Sequence, residues 1–388
     1  MGTMGGVDAS GSRYVAAAAA VARDVLAVHA ADVDASGRFP AESIDALARN
    51  GLTGLCAPGQ LGGGGQGMRV FAAVVEELAR ACASSAMVYT MHVSASQVIA
   101  ASTTLDSRDA ILRDIAAGKH LTTLAFSEAG SRSQFWFPMS ELEARDGGYV
   151  VSAHKSWVTS ARHADSYVAS ARRPGAAAPS DSVLYLMRPR NAEVRTKGTF
   201  NGLGLRGNES APVDIENYRL GDRDLLCAMG DGTIMTRDVV LPWFCIGTAA
   251  LANGLCLAAV EQITAHLTGS RFEHDGTDLR DLPILRARLA QMSVRTEQAR
   301  ALLGYTVAEL DNPSPTTPVY VLQSRLASLQ AAVDVTDLAM KAGGGAAFSK
   351  QLPLERLFRD ARAGWVMAPT VDHLNDFIGR ALTGLPQF

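Results

Sequence analysis

Two short stretches near the middle of the chain carry the residues best suited to chemistry. The first, residues 124–134, is a turn rich in serine and glycine that follows an apolar run. The second, residues 155–160, ends a run in which apolar and polar side chains alternate. Ser127, Trp157 and Thr159 therefore place two hydroxyls and an indole where strand patterns meet turns. Hydroxyls can hydrogen-bond the polar edge of a ring-shaped ligand, and an indole can lie flat against its face.

The elements that must position these residues follow from the pattern along the chain. Residues 12–120 show helical spacing, residues 121–230 show short runs with a period of two, and residues 231–388 return to helical spacing. The glycines and short strands of the middle segment favour a small β-barrel, and the long helices of the last segment favour an antiparallel four-helix bundle. Residues 1–11 are rich in glycine and predict a loose N-terminus. The predicted fold is thus mostly α with a central β-barrel.

The composition is that of a globular protein and excludes several classes. The 388 residues are 47% hydrophobic and 19% charged with a net charge of −3, which argues against disorder and against a basic nucleic-acid-binding surface. Five scattered cysteines without a Cys-x-x-Cys pair predict reduced thiols in a cytoplasmic protein and no metal site. No uninterrupted apolar run in the sequence is long enough to predict a membrane-spanning helix.

The two central stretches together resemble the flavin-binding segment of the acyl-CoA dehydrogenase family. In that family a strand-end serine or threonine hydrogen-bonds the flavin ring, and a Trp-x-Thr strand lies against it. Ser127, Trp157 and Thr159 match those positions, whereas Ser152 and Ala153 stand where the family usually has Asn-Gly. The order of helical domain, β-barrel and helical bundle is also that of the family. The resemblance covers nearly the whole chain and implies FAD as the cofactor.

The resemblance assigns further cofactor contacts, which are Phe126 through its backbone, Arg271, Gly343, Gly344 and Thr370. It implies that Arg271 reaches the pyrophosphate of FAD in a neighbouring subunit, where a guanidinium fork suits phosphate. It also implies that the glycine turn lets the backbone approach the FAD phosphates across a dimer. A cofactor shared in this way implies a homodimer or a homotetramer.

The substrate side departs from the family at the catalytic base. Ser133 matches a position near the substrate, and Arg237 and His92 are further candidates for substrate contacts. The family's usual catalytic glutamate corresponds to Ala368, which cannot accept a proton. A second family location for the base corresponds to Arg237. The adjacent Asp238 is therefore the candidate for removing the α-proton while hydride leaves for the flavin.

Three functions remain open at this stage. The favoured one is FAD-dependent oxidation of an acyl thioester, carried on CoA or on a carrier protein, with an electron-transfer or reductase partner. The second is flavin chemistry that needs no carboxylate at Ala368, either desulfination or monooxygenation. The third is a catalytically inactive flavin-binding protein, although the retained Ser127, Trp157 and Thr159 weigh against it.

Overall fold

Helices, then strands, then helices follow one another in the computed structural model, which describes residues 6–189 and 192–386. Residues 1–5 of the predicted loose N-terminus and residues 387–388 of the predicted C-terminal segment lie outside these ranges. The first block contains α1 Ala9–Val21, α2 Ala27–Ser36, α3 Ala41–Arg49, α4 Met68–Ala81, α5 Ala83–Ala101 and α6 Arg108–Ala116. A π-helical turn at Ala22–Leu26 joins α1 to α2.

Helix α5 runs through the interior although its sequence is rich in polar residues. The hydroxyls of Thr90, Ser94 and Ser96 each donate to the carbonyl four residues earlier, at 2.7 to 2.8 Å. A buried hydroxyl that is bonded in this way adds no unsatisfied polar atom to the core. This helix can therefore pack between the first block and the strands that follow.

The strands form two separate sheets. They are β1 Thr122–Ala125, β2 Glu143–Arg145, β3 Gly148–Val158, β4 Ser166–Arg172, β5 Ser182–Met187, β6 Val194–Thr196 and β7 Ala211–Leu220. One sheet has the order β1-β4-β5, with β1 parallel to β4, and the other has the order β2-β3-β7-β6 and is antiparallel throughout.

The prediction of a closed β-barrel is wrong for the described residues. Each sheet keeps two edge strands, and no ladder joins one sheet to the other. Closure requires every strand to pair on both sides with a consistent tilt and stagger, whereas β1 and β5 are the edges of one sheet and β2 and β6 the edges of the other. The burial patterns also differ. Every residue of β5 is buried, as in a strand covered on both faces, whereas β3 alternates over most of its length.

The last block is a set of long helices packed side by side. It contains α7 Gly232–Met235, α8 Leu241–Gly269, α9 Pro283–Asp311, α10 Thr317–Phe348, α11 Leu354–Val366 and α12 Val371–Leu382. Prolines stand in the first turns of α9 and α10, where a missing N–H costs no helical hydrogen bond. Pro242 of α8 instead follows the π-helical turn Thr236–Val240 within one continuous helix, Gly232–Gly269. Helix α10 packs against α8, α9 and α11, and α8 also packs against α4 and α5 of the first block.

Two helical stretches are long and apolar enough to cross a membrane by length and composition alone. They are Ala9–Ser36 and Gly232–Gly269. In the second, 94% of the most apolar window is buried inside the protein, as expected for a core helix. In the first, which lies near the N-terminus, 33% of that window is buried. These two helices are weak evidence for a membrane span.

One junction ties the three blocks together. The guanidinium of Arg359 on α11 donates to both carboxylate oxygens of Asp34 on α2, at 3.0 and 2.5 Å, and to the carbonyl of Leu203 at 3.0 Å. Beside it, the buried carboxylate of Asp360 accepts from the backbone N–H of Leu205 at 2.6 Å. The loop before β7 is thus fixed between the first and the last helical blocks.

The carboxyl of Asp360 should make stability depend on pH. Burial raises its pKa to about 6, with a smaller contribution from Asp34, while the Leu205 N–H, Arg356 and Arg359 act in the opposite direction. The folded protein therefore holds this proton more tightly than the unfolded chain, whose pKa is near 3.8. The contribution of the Asp360 carboxyl to the free energy of unfolding is therefore lost as the pH rises from about 4 through about 6. A shift of about two pKa units corresponds to about 3 kcal/mol.

Urea unfolding of the wild type and of Asp360→Asn between about pH 4 and pH 8 measures this effect. Because the variant cannot ionise, its free energy of unfolding relative to the wild type should rise by about 2–3 kcal/mol across the range. The exposed Asp114→Asn is the control and should show no such trend. A difference between Asp360→Asn and wild type that stays constant with pH would contradict the raised pKa.

Candidate functional site

A buried ion pair joins the two central stretches. Lys155 Nζ on β3 donates to Glu128 Oε1 at 2.5 Å and to the carbonyl of Ser170 at 2.9 Å, and the two charged side chains are 0% and 3% exposed. Glu128 also accepts from the backbone N–H groups of Met139 and Ser140, at 2.9 and 2.7 Å, and from the Ser140 hydroxyl at 2.7 Å. The buried carboxylate is thereby fully hydrogen-bonded, as a charge in a dry interior must be.

The ion pair sets the charge state and the backbone around it. Burial favours the neutral acid, but the Lys155 charge and the hydrogen bonds from Ser140 hold the pKa of Glu128 below its usual value. The backbone N–H of Ser156 donates to the carbonyl of Ser127 at 2.8 Å, so the turn after β1 runs directly beside β3. Ser127 is half-buried there. The sequence-predicted Ser127 and the 155–160 stretch are therefore neighbours in space.

A β-bulge turns the indole of Trp157 out of the core. Along β3 the alternate residues Val151, Ala153 and Lys155 are buried, so an unbroken strand would also bury Trp157. The register with β7 shifts by one residue between Lys155 and Val158, and beyond the shift Val158 is buried while Trp157 is 62% exposed. Bulges of this kind re-aim side chains, often next to functional sites. The exposed indole offers a flat face to a ring-shaped ligand.

Thr159 and Phe126, which are also predicted to contact the flavin, are more deeply buried than Trp157 and Ser127. Thr159 is 4% exposed, and its Oγ1 lies 3.0 Å from the hydroxyl oxygen of Ser210. The side chain of Phe126 is buried. The flavin contacts assigned to Thr159 and Phe126 stay predictions.

The turn that carries Ser133 has a strained backbone. Arg132 and Ser133 both have positive φ angles, 50° and 68°, and Gly130, two residues before Arg132, has a φ of 95°. Residues other than glycine avoid this region, and each such residue costs about 1–3 kcal/mol unless its surroundings hold it there. Both side chains are exposed. The turn is thus exposed and strained, and the substrate-side role of Ser133 stays a prediction.

A chain of aromatic rings connects this turn to the last helix. Phe126 stacks near Phe135 with ring centres 6.0 Å apart, and Phe135 meets Trp136 edge-on at 5.3 Å. Trp136 in turn lies edge-on to His373 at 5.2 Å and to Phe377 at 5.3 Å. The start of α12 is therefore fixed against the segment that follows β1.

Two sequence-predicted residues stand at that start. Thr370 caps α12, because its hydroxyl accepts from the backbone N–H of His373 at 3.3 Å and its own N–H donates to His373 Nδ1 at 3.4 Å. Ala368 is half-buried and joined to Pro369 by a cis peptide bond. The positions matched to the flavin contact and to the usual base thus lie close to the aromatic chain.

The glycine turn interrupts α10 at Gly344, whose φ and ψ are 53° and −132°. No heavy atom lies within 4 Å of a Cβ placed on Gly344 or Gly345, whereas one on Gly343 would meet the side chain of Ala347 at 2.9 Å. The turn therefore offers open backbone, which suits phosphate groups. Together with the exposed Trp157 and half-buried Ser127, it fits the ring and the phosphates of FAD.

The sequence-predicted Arg271 is exposed and donates to Asp278 at 3.1 Å. Its side chain is 68% exposed, so it is available to a second molecule at the cost of one surface ion pair. A role for Arg271 toward FAD in a neighbouring subunit stays a prediction.

Arg237 and Asp238 pair with each other. They lie on a π-helical turn, Thr236–Val240, that leads into α8. Arg237 Nε and Nη2 donate to the two oxygens of Asp238 at 2.7 and 3.1 Å, and both side chains are 52% exposed. This bond raises the pKa of Arg237. Asp238 stays the predicted base, and its half-exposed carboxylate is bonded to Arg237.

The surroundings of His92 leave it no access to a substrate. It is fully buried in α5, where Nε2 lies 3.1 Å from the carbonyl of Thr53 and Nδ1 accepts from the N–H of Thr122 at 3.1 Å. Because a carbonyl can only accept, Nε2 carries the proton. Burial lowers the pKa of His92 to about 4, so the ring is neutral at pH 7. Both ring nitrogens of His92 are hydrogen-bonded to backbone groups, so neither is available to a substrate.

The sequence reasoning missed the partner of Lys155 and the aromatic chain through Trp136. A signal for the first is present, since Lys155 falls on the same face of its alternating run as Val151 and Ala153, where an unpaired charge would be costly. The aromatic chain has a weaker signal in the run of residues 135–137. Nothing in the sequence indicates which distant helix this run contacts.

Comparisons with known proteins place both helical blocks in one family. Residues 12–119 match the family model described as acyl-CoA dehydrogenase, N-terminal domain, and residues 230–383 match that described as acyl-CoA dehydrogenase, C-terminal domain. The mitochondrial short-chain specific acyl-CoA dehydrogenase of Bos taurus is 28% identical over 335 residues, which cover 86% of this chain and 80% of that protein.

Solved structures share the whole fold at low sequence identity. Butyryl-CoA dehydrogenase from Megasphaera elsdenii is 21% identical with a TM-score of 0.91, covering 97% of this chain and 99% of that one. The FAD complex of PigA is 19% identical with a TM-score of 0.89, covering 97% and 98%. The prolyl acyl carrier protein oxidase AnaB is 17% identical with a TM-score of 0.86, covering 97% and 100%. These structures confirm the predicted family fold, apart from the closed barrel.

Removing one member of the buried ion pair should destabilise the protein strongly. Lys155→Met leaves the Glu128 carboxylate buried and unpaired, and we expect a loss of about 3–5 kcal/mol in the free energy of unfolding. The double variant Glu128→Gln/Lys155→Met removes both charges and should lose less than Lys155→Met alone. Urea unfolding of the three proteins at neutral pH measures these losses.

The matched control is Glu143→Gln, which breaks the surface pair with Arg145, whose side chains are 64% and 62% exposed. This change should cost less than about 1 kcal/mol. A Lys155→Met loss no larger than that of the control would contradict the account of the ion pair.

Proposed function

The chain belongs to the acyl-CoA dehydrogenase family, and on that premise we propose that it is an FAD-dependent oxidoreductase acting on an acyl thioester. The observation that carries the proposal is the exposed indole of Trp157, turned outward by a bulge beside Ser127. Bulges are common next to functional sites, where they re-aim a side chain, and this one turns Trp157 away from the face that alternation would bury. The thioester would be carried on CoA or on a carrier protein.

The residues that would hold FAD come from two blocks of the fold. Trp157 would support the ring, Ser127 would hydrogen-bond its edge, and Thr370 would contact it from the start of α12. The open backbone at Gly344 would approach the phosphates. FAD would supply the acceptor for the hydride that leaves the acyl group. The buried Glu128–Lys155 and aromatic contacts would keep these residues in place, so that little ordering is left for the binding step.

The proposed assembly is a homodimer or homotetramer. Arg271, Gly344 and Gly345 are exposed in the single chain, as expected if they face FAD in a neighbouring subunit, whereas Gly343 is buried. The five cysteines are unpaired and buried, which supports the proposed cytoplasmic location. A separate electron-transfer or reductase partner would reoxidise or reduce the flavin.

Asp238 is the proposed base, since Ala368 cannot accept a proton. Its carboxylate is half-exposed and bonded to Arg237. A substrate that draws Arg237 toward its own carbonyl or anionic group would free this carboxylate for proton transfer. Binding and deprotonation would then be linked through one side-chain exchange.

A second candidate function is flavin chemistry without proton abstraction, either desulfination or monooxygenation. The observation in its favour is that Ala368 lacks a carboxylate and both oxygens of Asp238 are occupied by Arg237. Under this alternative Arg237 would bind an anionic group of the substrate and Asp238 would only orient it.

Anaerobic titration of the purified holoprotein with acyl thioesters on CoA and on a carrier protein tests the proposal. Loss of the oxidised flavin absorbance on adding substrate supports acyl oxidation. Flavin reduction only by a nicotinamide-dependent reductase, with oxygen-dependent turnover, supports monooxygenation, and sulfite release without flavin reduction supports desulfination. A colourless protein that does not take up FAD would contradict the flavoprotein proposal.

Replacing the proposed base should abolish the bleaching. We expect Asp238→Asn to bind FAD normally and to slow substrate-dependent flavin reduction at least about 100-fold, since a positioned base typically contributes that much or more. Asp114→Asn, an exposed carboxyl on α6, is the control and should reduce at the wild-type rate. A wild-type rate in Asp238→Asn would exclude this residue as the base and favour the second candidate function.

A further inference from the structure

Arg325 is a fully buried cation on α10 that lies against the segment before α12. Its Nη2 donates to the carbonyl of Met367 at 3.1 Å, and Nη1 lies 4.0 Å from the sulfur of Cys245. The guanidinium carbon is 4.9 Å from the centre of the Phe244 ring. The side chain thus touches α8 and the α11–α12 connection at once.

This charge has no anionic partner. Among residues 6–189 and 192–386, no carboxylate lies within salt-bridge distance of Arg325, and its Nε has no hydrogen-bond partner. Arg300, the other deeply buried arginine, is bonded to Glu76. Burying an unpaired cation costs several kcal/mol, so buried charges are normally paired. A guanidinium stays protonated even where burial lowers its pKa.

The charge lies close to the proposed cofactor site. Met367 is followed by Ala368 and Thr370, and three residues span at most about 11 Å. Thr370 caps the helix whose first turn joins the aromatic chain to Phe126. The site and the unpaired cation are therefore separated by one short segment of backbone.

We propose that Arg325 is a positioning residue with an electrostatic role: it holds the 367–370 segment through the Met367 carbonyl, and its unpaired charge favours the reduced form of FAD. This inference rests on the proposed function. A fixed positive charge in a low-dielectric interior lowers the energy of nearby negative charge. FAD gains two electrons from the substrate on reduction, so a nearby positive charge stabilises its reduced form. A carboxylate at position 245 would neutralise Arg325 and remove this stabilisation. Because no carboxylate among the described residues neutralises Arg325, its charge can act on the flavin.

The test is the two-electron midpoint potential of FAD in the holoprotein, measured by equilibration with reference dyes. Arg325→Met removes the charge, and we expect reduced FAD to bind at least about tenfold more weakly relative to oxidised FAD, a fall of about 30 mV. Arg325→Lys keeps the charge and should restore most of the wild-type potential. Arg295→Met, which removes an exposed and paired arginine on α9, is the control and should leave it unchanged.

Cys245→Asp keeps the test decisive if Arg325→Met does not fold. It places a carboxylate beside Nη1, which neutralises the cation while retaining the arginine, and pairing a buried charge should help folding. We expect the same fall in potential. A wild-type potential in folded Arg325→Met or in Cys245→Asp would overturn the inference while leaving the proposed function intact. A wild-type protein that binds no FAD would overturn both.

Discussion

The candidate site depends on one interaction, the buried ion pair between Glu128 and Lys155. Two charges taken out of water cost several kcal/mol each, and here the cost is offset by four hydrogen bonds to the carboxylate and one from the ammonium to a carbonyl. Such a pair tolerates little displacement, because either charge left alone in the interior is strongly unfavourable. It therefore fixes the turn that carries Ser127 against the strand that carries Trp157. The relative positions of Ser127 and Trp157 therefore depend on this ion pair.

The rest of the fold extends that constraint to the helical blocks. The bulge in β3 turns Trp157 outward, and the ring chain through Trp136 fixes the start of α12 nearby. Family members commonly place a glutamate in the connection to this helix, and this chain has Ala368 instead. On the proposed assignment, the chain keeps the residues that would hold a flavin, whereas the position of the usual proton acceptor has no carboxylate. What remains is the Arg237–Asp238 pair and the unpaired cation of Arg325.

Local pattern predicts much of this fold, because helical and strand periodicity are set by neighbouring residues. The helical blocks and the central strands appear in the predicted order, and the Ser127 and Trp157 stretches do meet. The closed barrel was wrong because closure depends on which strands pair, a tertiary property. Alternation alone would bury Trp157, since the bulge is visible only in the register with β7. His92 looked available because its two backbone partners are about 30 and 40 residues away along the chain.

A crystal structure of the protein purified with FAD tests the central claim most directly. We expect the flavin ring to lie against the exposed indole of Trp157, with its polar edge within hydrogen-bond distance of the Ser127 hydroxyl, and Glu128 and Lys155 to remain paired. A ring bound elsewhere on the protein, or a Trp157 indole folded into the core with no space beside it, would contradict the account.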